Sequence, residues 1–187
     1  MNSARHLNLA ELNEGLPTIL QSPKNQGTLE AIVVRTEENQ RFSPTECHLS
    51  PELGLEGDSW AKGCWLSLPD GSPHPDVQIT IMNARAIDLI AQRKSSWSLA
   101  GDNLYIDLDL SDDNLPCGQR LSIGPSILEV VDRSHTACSK FAQRYGNDAM
   151  RFLNSPEGTR LHLRGIYAKI IEAGTVKVGD LVLKTEG

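Results

Sequence analysis

Cys138 is the residue whose neighbours most readily suggest chemistry. His135 stands three positions before it, Lys140 two after and Arg144 six after. Phe141, Tyr145, Ala149, Phe152 and Leu153 then follow at the spacing of one apolar helix stripe, within HTACSKFAQRYGNDAMRFLN (135–154). That pattern predicts a helix clamped to a core, with Cys138 at its first turn. Unpaired N–H groups at a helix start favour a thiolate, and nearby cations add to the effect. A thiolate is a nucleophile and a soft metal ligand. The same residues also fit a plainer reading, in which Cys138 is a small packed hydrophobe without reactivity.

Composition narrows the setting. A chain of 187 residues is the size of one domain with a substantial core. The net charge of −6 argues against a general nucleic-acid binder, which would carry a basic balance. A local basic pocket for one anionic ligand is compatible with it. No run reaches the length of a membrane span, and Met1–Leu20 carries Glu11 and Glu14 and has no continuous apolar core, so it does not read as a secretory signal. The expected address is the cytoplasm, away from membranes. Cys47, Cys64, Cys117 and Cys138 form no CxxC pair, and in a reducing compartment they are expected to be free thiols. Gly63-Cys64-Trp65 resembles the surroundings of a papain-like nucleophile only superficially, since the upstream glutamine is missing.

The elements that must position Cys138 can be read in order. Residues 1–27 form a peripheral arm. Leu9, Leu12, Leu16 and Ile19 have helical spacing there, but Gly15 and Pro17 interrupt it, which predicts a short helix near 8–14 and a polar linker over 22–27. The domain proper runs over 28–187. TLEAIVVR (28–35) and VQITIM (77–82) read as strands, and GLEGD (54–58) as a tight turn. Residues 59–76 are loop, and NARAIDLIAQR (83–93) is a helix capped by Asn83. After a loop over 94–103, LYIDLDL (104–110) is a strand with Leu104, Ile106, Leu108 and Leu110 inside and Tyr105, Asp107 and Asp109 outside. RLSIG (120–124) and ILEVVD (127–132) flank Gly124-Pro125 as a hairpin, and 161–184 holds two or three more strands. Short strands with glycine turns predict a mainly β protein: a closed or nearly closed β-barrel with two main helices and a short N-terminal helix. Alternating βαβ order is absent, which excludes Rossmann and TIM arrangements.

GLEGD (54–58), VQITIM (77–82), GDNLYIDL (101–108), CGQRLSIG (117–124), HTACSKFAQRYG (135–146), LRGIYAKII (163–171) and GTVKVGD (174–180) stand in one order around a single cysteine. This ordered set resembles the MOSC domain, found at the C-terminus of molybdenum-cofactor sulfurases and as stand-alone bacterial proteins. The resemblance covers about residues 28–184. It implies a barrel of the type also found in pyruvate kinase, and a sulfur or molybdenum role for Cys138. The cysteine would ligate molybdenum in a cofactor-dependent oxidoreductase that reduces N-hydroxylated small molecules. Alternatively, it would carry a persulfide as a sulfur carrier for the cofactor or another metal–sulfur centre.

Molybdopterin has a phosphate and a soft dithiolene–metal end, so its pocket calls for cations and one soft ligand. Cys138 is the candidate metal ligand, with His135 beside it as a catalytic candidate. Lys140, Arg164 and Arg133 are candidate cofactor cations, Arg164 favoured by its RG motif. Arg144 and Arg160 fit solvated surface charges better. Asn103, in a pair that resembles the family's Glu-Asn, is a candidate contact to the pterin edge. The chain departs from the family pattern at SWAKGCWLSLPDG (59–71), at Asp102 and at Thr136-Ala137. No pyridoxal-phosphate site of its own is expected, so the resemblance implies a separate cysteine desulfurase or electron donor as partner.

Overall fold

The computed structural model describes residues 5–37 and 39–185. In chain order its elements are α1 (Leu9–Leu20), β1 (Gln26–Ile32), β2 (Val34–Glu37), β3 (Gln40–Phe42), β4 (Glu46–Ser50), β5 (Gly54–Leu55), β6 (Ile79–Asn83), α2 (Ala84–Ala91), β7 (Leu104–Asp107), β8 (Arg120–Ile123), β9 (Ser126–Val130), α3 (Ser139–Tyr145), α4 (Asn147–Leu153), α5 (Pro156–Arg160), β10 (Ile166–Glu172), β11 (Gly174–Lys177) and β12 (Leu181–Thr185). Short 3-10 turns cover Trp60–Lys62, Pro75–Val77 and Lys94–Ala100.

Seven strands close a barrel in the order β1-β12-β8-β9-β10-β6-β7. Closure leaves no open edge, and alternation sends every second side chain inward. Leu29, Ile81, Leu104, Ile106, Leu121, Leu128 and Val182 belong to the barrel core and are fully buried. The expected hairpin is present, with β8 and β9 pairing from Arg120↔Glu129 to Ile123↔Ser126. The β6–β7 pair is parallel, whereas the other barrel pairs are antiparallel. It is bridged by α2 and the 3-10 turn at Lys94–Ala100, so one βαβ unit occurs where no alternation was read.

A second core lies between the outer barrel face and the helices. Leu12, Met82, Ile87, Ile90, Phe141, Tyr145 and Phe152 meet there. Tyr105 points out of the barrel as expected, but it is fully buried under the helices and donates from its hydroxyl to the Trp97 carbonyl at 2.8 Å. Asp107 on the same face pairs with Arg85.

Helix lengths differ from the sequence reading in two places. α1 continues through Gly15 and Pro17 to Leu20. An Asn8–Glu11 capping box starts it, and packing on α2 and α4 carries it past both breakers. Gly15 permits that packing, since an added Cβ would lie 2.4 Å from the Leu89 side chain. The helix predicted after Cys138 is two helices, α3 and α4, divided at Gly146 with φ 94°. The apolar stripe is nonetheless buried throughout. No helix among the described residues is long and apolar enough to cross a membrane.

Gly27 marks the tightest strand approach, because a Cβ there would lie 2.1 Å from the Asp107 carbonyl oxygen. Gly27→Ala is therefore expected to force β1 from β7 and cost about 1–3 kcal/mol, read as a lower denaturation midpoint in urea.

Candidate functional site

Cys138 is the N-cap of α3, and its exposed side chain lines a cleft of about 490 Å³ outside the barrel. Two backbone devices fix its place. The Asn154 side chain closes a two-point clamp on Ala137, accepting from its N–H at 2.8 Å and donating to its carbonyl at 2.9 Å. The Cys138 carbonyl then accepts from the Ala142 N–H at 3.1 Å and starts the helix. The sulfur faces the N–H groups of Phe141 and Lys140 without closing a capping hydrogen bond. Partial burial opposes the thiolate, but those N–H dipoles and the Arg164 charge outweigh it and hold the thiol below its ordinary value.

Arg164 is nine-tenths buried at the back of the cleft. It donates to the Asp102 carboxylate at 2.6 Å and to the Ala100 carbonyl at 3.2 Å, and its guanidinium lies 5.1 Å from the Phe141 ring centre. Its Nε is buried without an acceptor. Gly165 explains the RG pair: with φ 107°, a Cβ there would lie 2.3 Å from the Ile81 carbonyl oxygen. The glycine lets the chain press against β6 and aims Arg164 inward.

His135 lines the same cleft, its ring centre 4.6 Å from that of Tyr167. Burial first, then the charges of Arg164 and Arg35, push its pKa well below the usual range, so the ring is neutral at pH 7. Its Nδ1 stands 3.8 Å from Asp102, beyond a hydrogen bond, and has no partner. Lys140 is an exposed lining residue. Arg144, read as a surface charge, instead lines the cleft and is anchored to the Leu99 carbonyl and the Asn39 side chain. Arg160 does sit on the surface, paired with Asp113.

Two expected cofactor contacts lie elsewhere. Asn103 is fully buried and is not part of the cleft wall. Its amide oxygen accepts from the Thr80 N–H and hydroxyl, and its nitrogen donates to Val33 O and Asp58. Contacting a pterin would cost it those bonds, so Asn103 is a structural residue. Arg133 lines a smaller cavity, about 190 Å³, that shares His135 as a wall with the cleft. Its guanidinium lies over Trp65.

Sequence reasoning missed Arg35 and Arg41. Arg35, on β2, makes a bidentate pair with Asp58 at 2.9 Å and also donates from its backbone N–H to that carboxylate. Asp58 further accepts from Trp60 N–H and Asn103, so the last residue of GLEGD ties β2, the loop and β7 together. Arg41, on β3, has no carboxylate partner among the described residues, and its Nε is buried without an acceptor. Burial, then the like charge of Arg144, depresses its pKa. Neither arginine stands in a motif, and only the β2–β3 hairpin brings Arg41 to the cleft.

The lining thus holds Arg35, Arg41, Lys140, Arg144 and Arg164, and no carboxylate among the described residues. Cys64 also lines it, whereas Cys117 lines the smaller cavity. Among the described residues, no three His, Cys, Asp or Glu side chains are placed to hold a metal ion. The lining therefore offers two thiols beside a cationic wall: Cys138 at the start of α3, and Cys64, which donates to the Leu66 carbonyl.

The chain is thus a closed β-barrel domain with a cysteine-bearing, cationic cleft on its outer face. The MOSC domain family matches residues 50–183, and the chain belongs to that family. Several solved structures share the fold. A protein solved as hypothetical has 18% identity and a TM-score of 0.57, covering 90% of this chain and 72% of its own. YiiM from Escherichia coli has 17% identity and a TM-score of 0.55, with 86% and 70% covered. The YuaD protein from Bacillus subtilis has 16% identity and a TM-score of 0.57, with 87% and 97% covered. A comparison with curated proteins gives no match.

The lowered thiol has a direct readout. Alkylation of Cys138, followed by peptide mass spectrometry, is expected to reach half its maximal rate at a pH below that of an ordinary thiol. Asn154→Ala, which frees Ala137, and Arg164→Gln, which removes the positive charge, should each move that midpoint upward. An unmoved midpoint in both variants would show that neither the clamp nor the arginine tunes the thiol.

Proposed function

We propose that the cleft binds the molybdenum cofactor, with the Cys138 thiolate as the protein's metal ligand. The observation that carries this reading is a wall of five basic side chains, with no carboxylate among the described residues of the lining, in a chain of net charge −6. Such a site selects an anion, and the thiolate selects a soft metal. Two features support the fit to molybdopterin. Arg41 and Arg144 have no carboxylate partner among the described residues and suit the phosphate; the Cys138 thiolate, with Cys64 engaged by the Leu66 carbonyl, suits a metal that arrives with its own sulfur ligands.

When bound, the cofactor supplies two-electron redox chemistry. The chain's own residues do the rest. Arg164, fixed by Asp102, keeps positive charge behind the thiolate and disfavours its protonation. His135, neutral and buried beside Tyr167, can donate or accept a hydrogen bond at an imidazole nitrogen. The proposed activity is reduction of N-hydroxylated small molecules, with electrons from a separate donor.

The exposure of Cys138 favours one second reading: a sulfur carrier that accepts a persulfide from a separate desulfurase. Elemental analysis of protein made in cells able to synthesise the cofactor separates them. Near-stoichiometric molybdenum is expected in the wild type, its loss in Cys138→Ser and weaker retention in Arg41→Ala. Metal-free wild type with cyanide-labile sulfur on Cys138 would instead establish the carrier.

A further inference from the structure

Trp65 is the most exposed large apolar residue of the described chain, at 69%. It lines the cleft, in the loop between β5 and β6. It is also held. The Arg133 guanidinium lies 5.7 Å from its ring centre, and the indole is set against the Tyr167 hydroxyl. Tyr167 in turn meets His135 ring to ring, tilted by 42°, so one aromatic wall runs from the cleft mouth towards the interior.

The separation of 5.7 Å is near the outer limit of about 6 Å for a cation–π contact, so Arg133 does not sit flush on the ring. The indole keeps open face, and the guanidinium keeps donors to spare. Arg133 forms no ion pair with a carboxylate among the described residues, and its Nε is buried without an acceptor. The neighbouring Asp132 is exposed and makes no ion pair among them. An indole fixed in water beside an unpaired guanidinium presents one flat surface and one anion donor. The Arg41–Arg144 end of the cleft adds to the positive potential that draws anions inward.

We infer that Trp65 and Arg133 form an outer recognition site for the cleft's small-molecule ligand, a planar conjugated ring bearing a carboxylate or other oxyanion. The ring stacks on Trp65 and the oxyanion accepts from Arg133. A protonated base is disfavoured by the same charges. This deepens the proposed function by naming a substrate class, and it rests on the cleft being the functional site rather than on the cofactor.

The test is calorimetric titration of the full chain, with molybdenum measured on each sample. The probes are 2-naphthoate, the neutral ring 2-naphthylmethanol and the non-planar anion cyclohexanecarboxylate. Naphthoate is expected to bind at least about tenfold tighter than either of the others, a difference of about 1.4 kcal/mol. Arg133→Gln should abolish its advantage over naphthylmethanol, and Trp65→Ala its advantage over cyclohexanecarboxylate, with the molybdenum content of both variants unchanged. Equal binding of all three probes, or naphthoate binding that survives both substitutions, would overturn the inference. Selective binding lost in the variants of a metal-free protein would uphold it while the cofactor reading fails.

Discussion

The buried pair between Asp102 and Arg164 is the constraint on which the site depends. Asp102 is fully inaccessible, and that burial pushes its carboxyl upward against the pull of Arg164. Such a pair contributes little net stability, because desolvation offsets the attraction. Breaking it is another matter: removing one partner of a buried pair costs about 3–5 kcal/mol, since the other charge is stranded. The pair joins the loop before β7 to the segment before β10, the two sides of the cleft floor. It also fixes a positive charge behind the Cys138 sulfur and beside the His135 ring. One geometric contact thus favours a thiolate and a neutral imidazole together.

A second buried network does the same for the mouth. Asp58 gathers Arg35, the Trp60 N–H and Asn103, and Asn103 passes the connection to Thr80 on β6. The polar groups that look most functional in sequence are partly spent in this way. Asp58 and Asn103 hold the barrel rim, and the charge facing the cleft without a carboxylate partner among the described residues is left to Arg41 and Arg144. The rigid barrel supplies the floor, while α3 and the β2–β3 hairpin supply the walls.

Local features of the sequence carried much of this. The Asn83 cap, the Gly124-Pro125 hairpin and the alternation of Leu104, Ile106 and Leu108 are short-range effects, decided by backbone sterics and side-chain periodicity. The stripe from Phe141 to Leu153 was legible for the same reason, although Gly146 splits the helix. Gly15 and Pro17 misled because propensity is weak beside the packing of α1 on α2 and α4. Tyr105 was placed on the right face but taken as solvated, since a strand pattern does not record what covers its outer side.

By itself the sequence determined the strand and helix repertoire, the closed mainly β class and the family, and it singled out Cys138, His135 and Arg164. Those follow from nearest-neighbour chemistry and from motif order along the chain. Tertiary structure alone decided that Arg35 and Arg41 join the cleft, that Arg144 faces it, that Asn103 is locked in the rim and that Arg133 stands over Trp65. These are contacts between residues many positions apart, such as Arg35 with Asp58 and Arg164 with Asp102. Charge complementarity in a buried site is a property of distance and desolvation, and neither is written in the order of the residues.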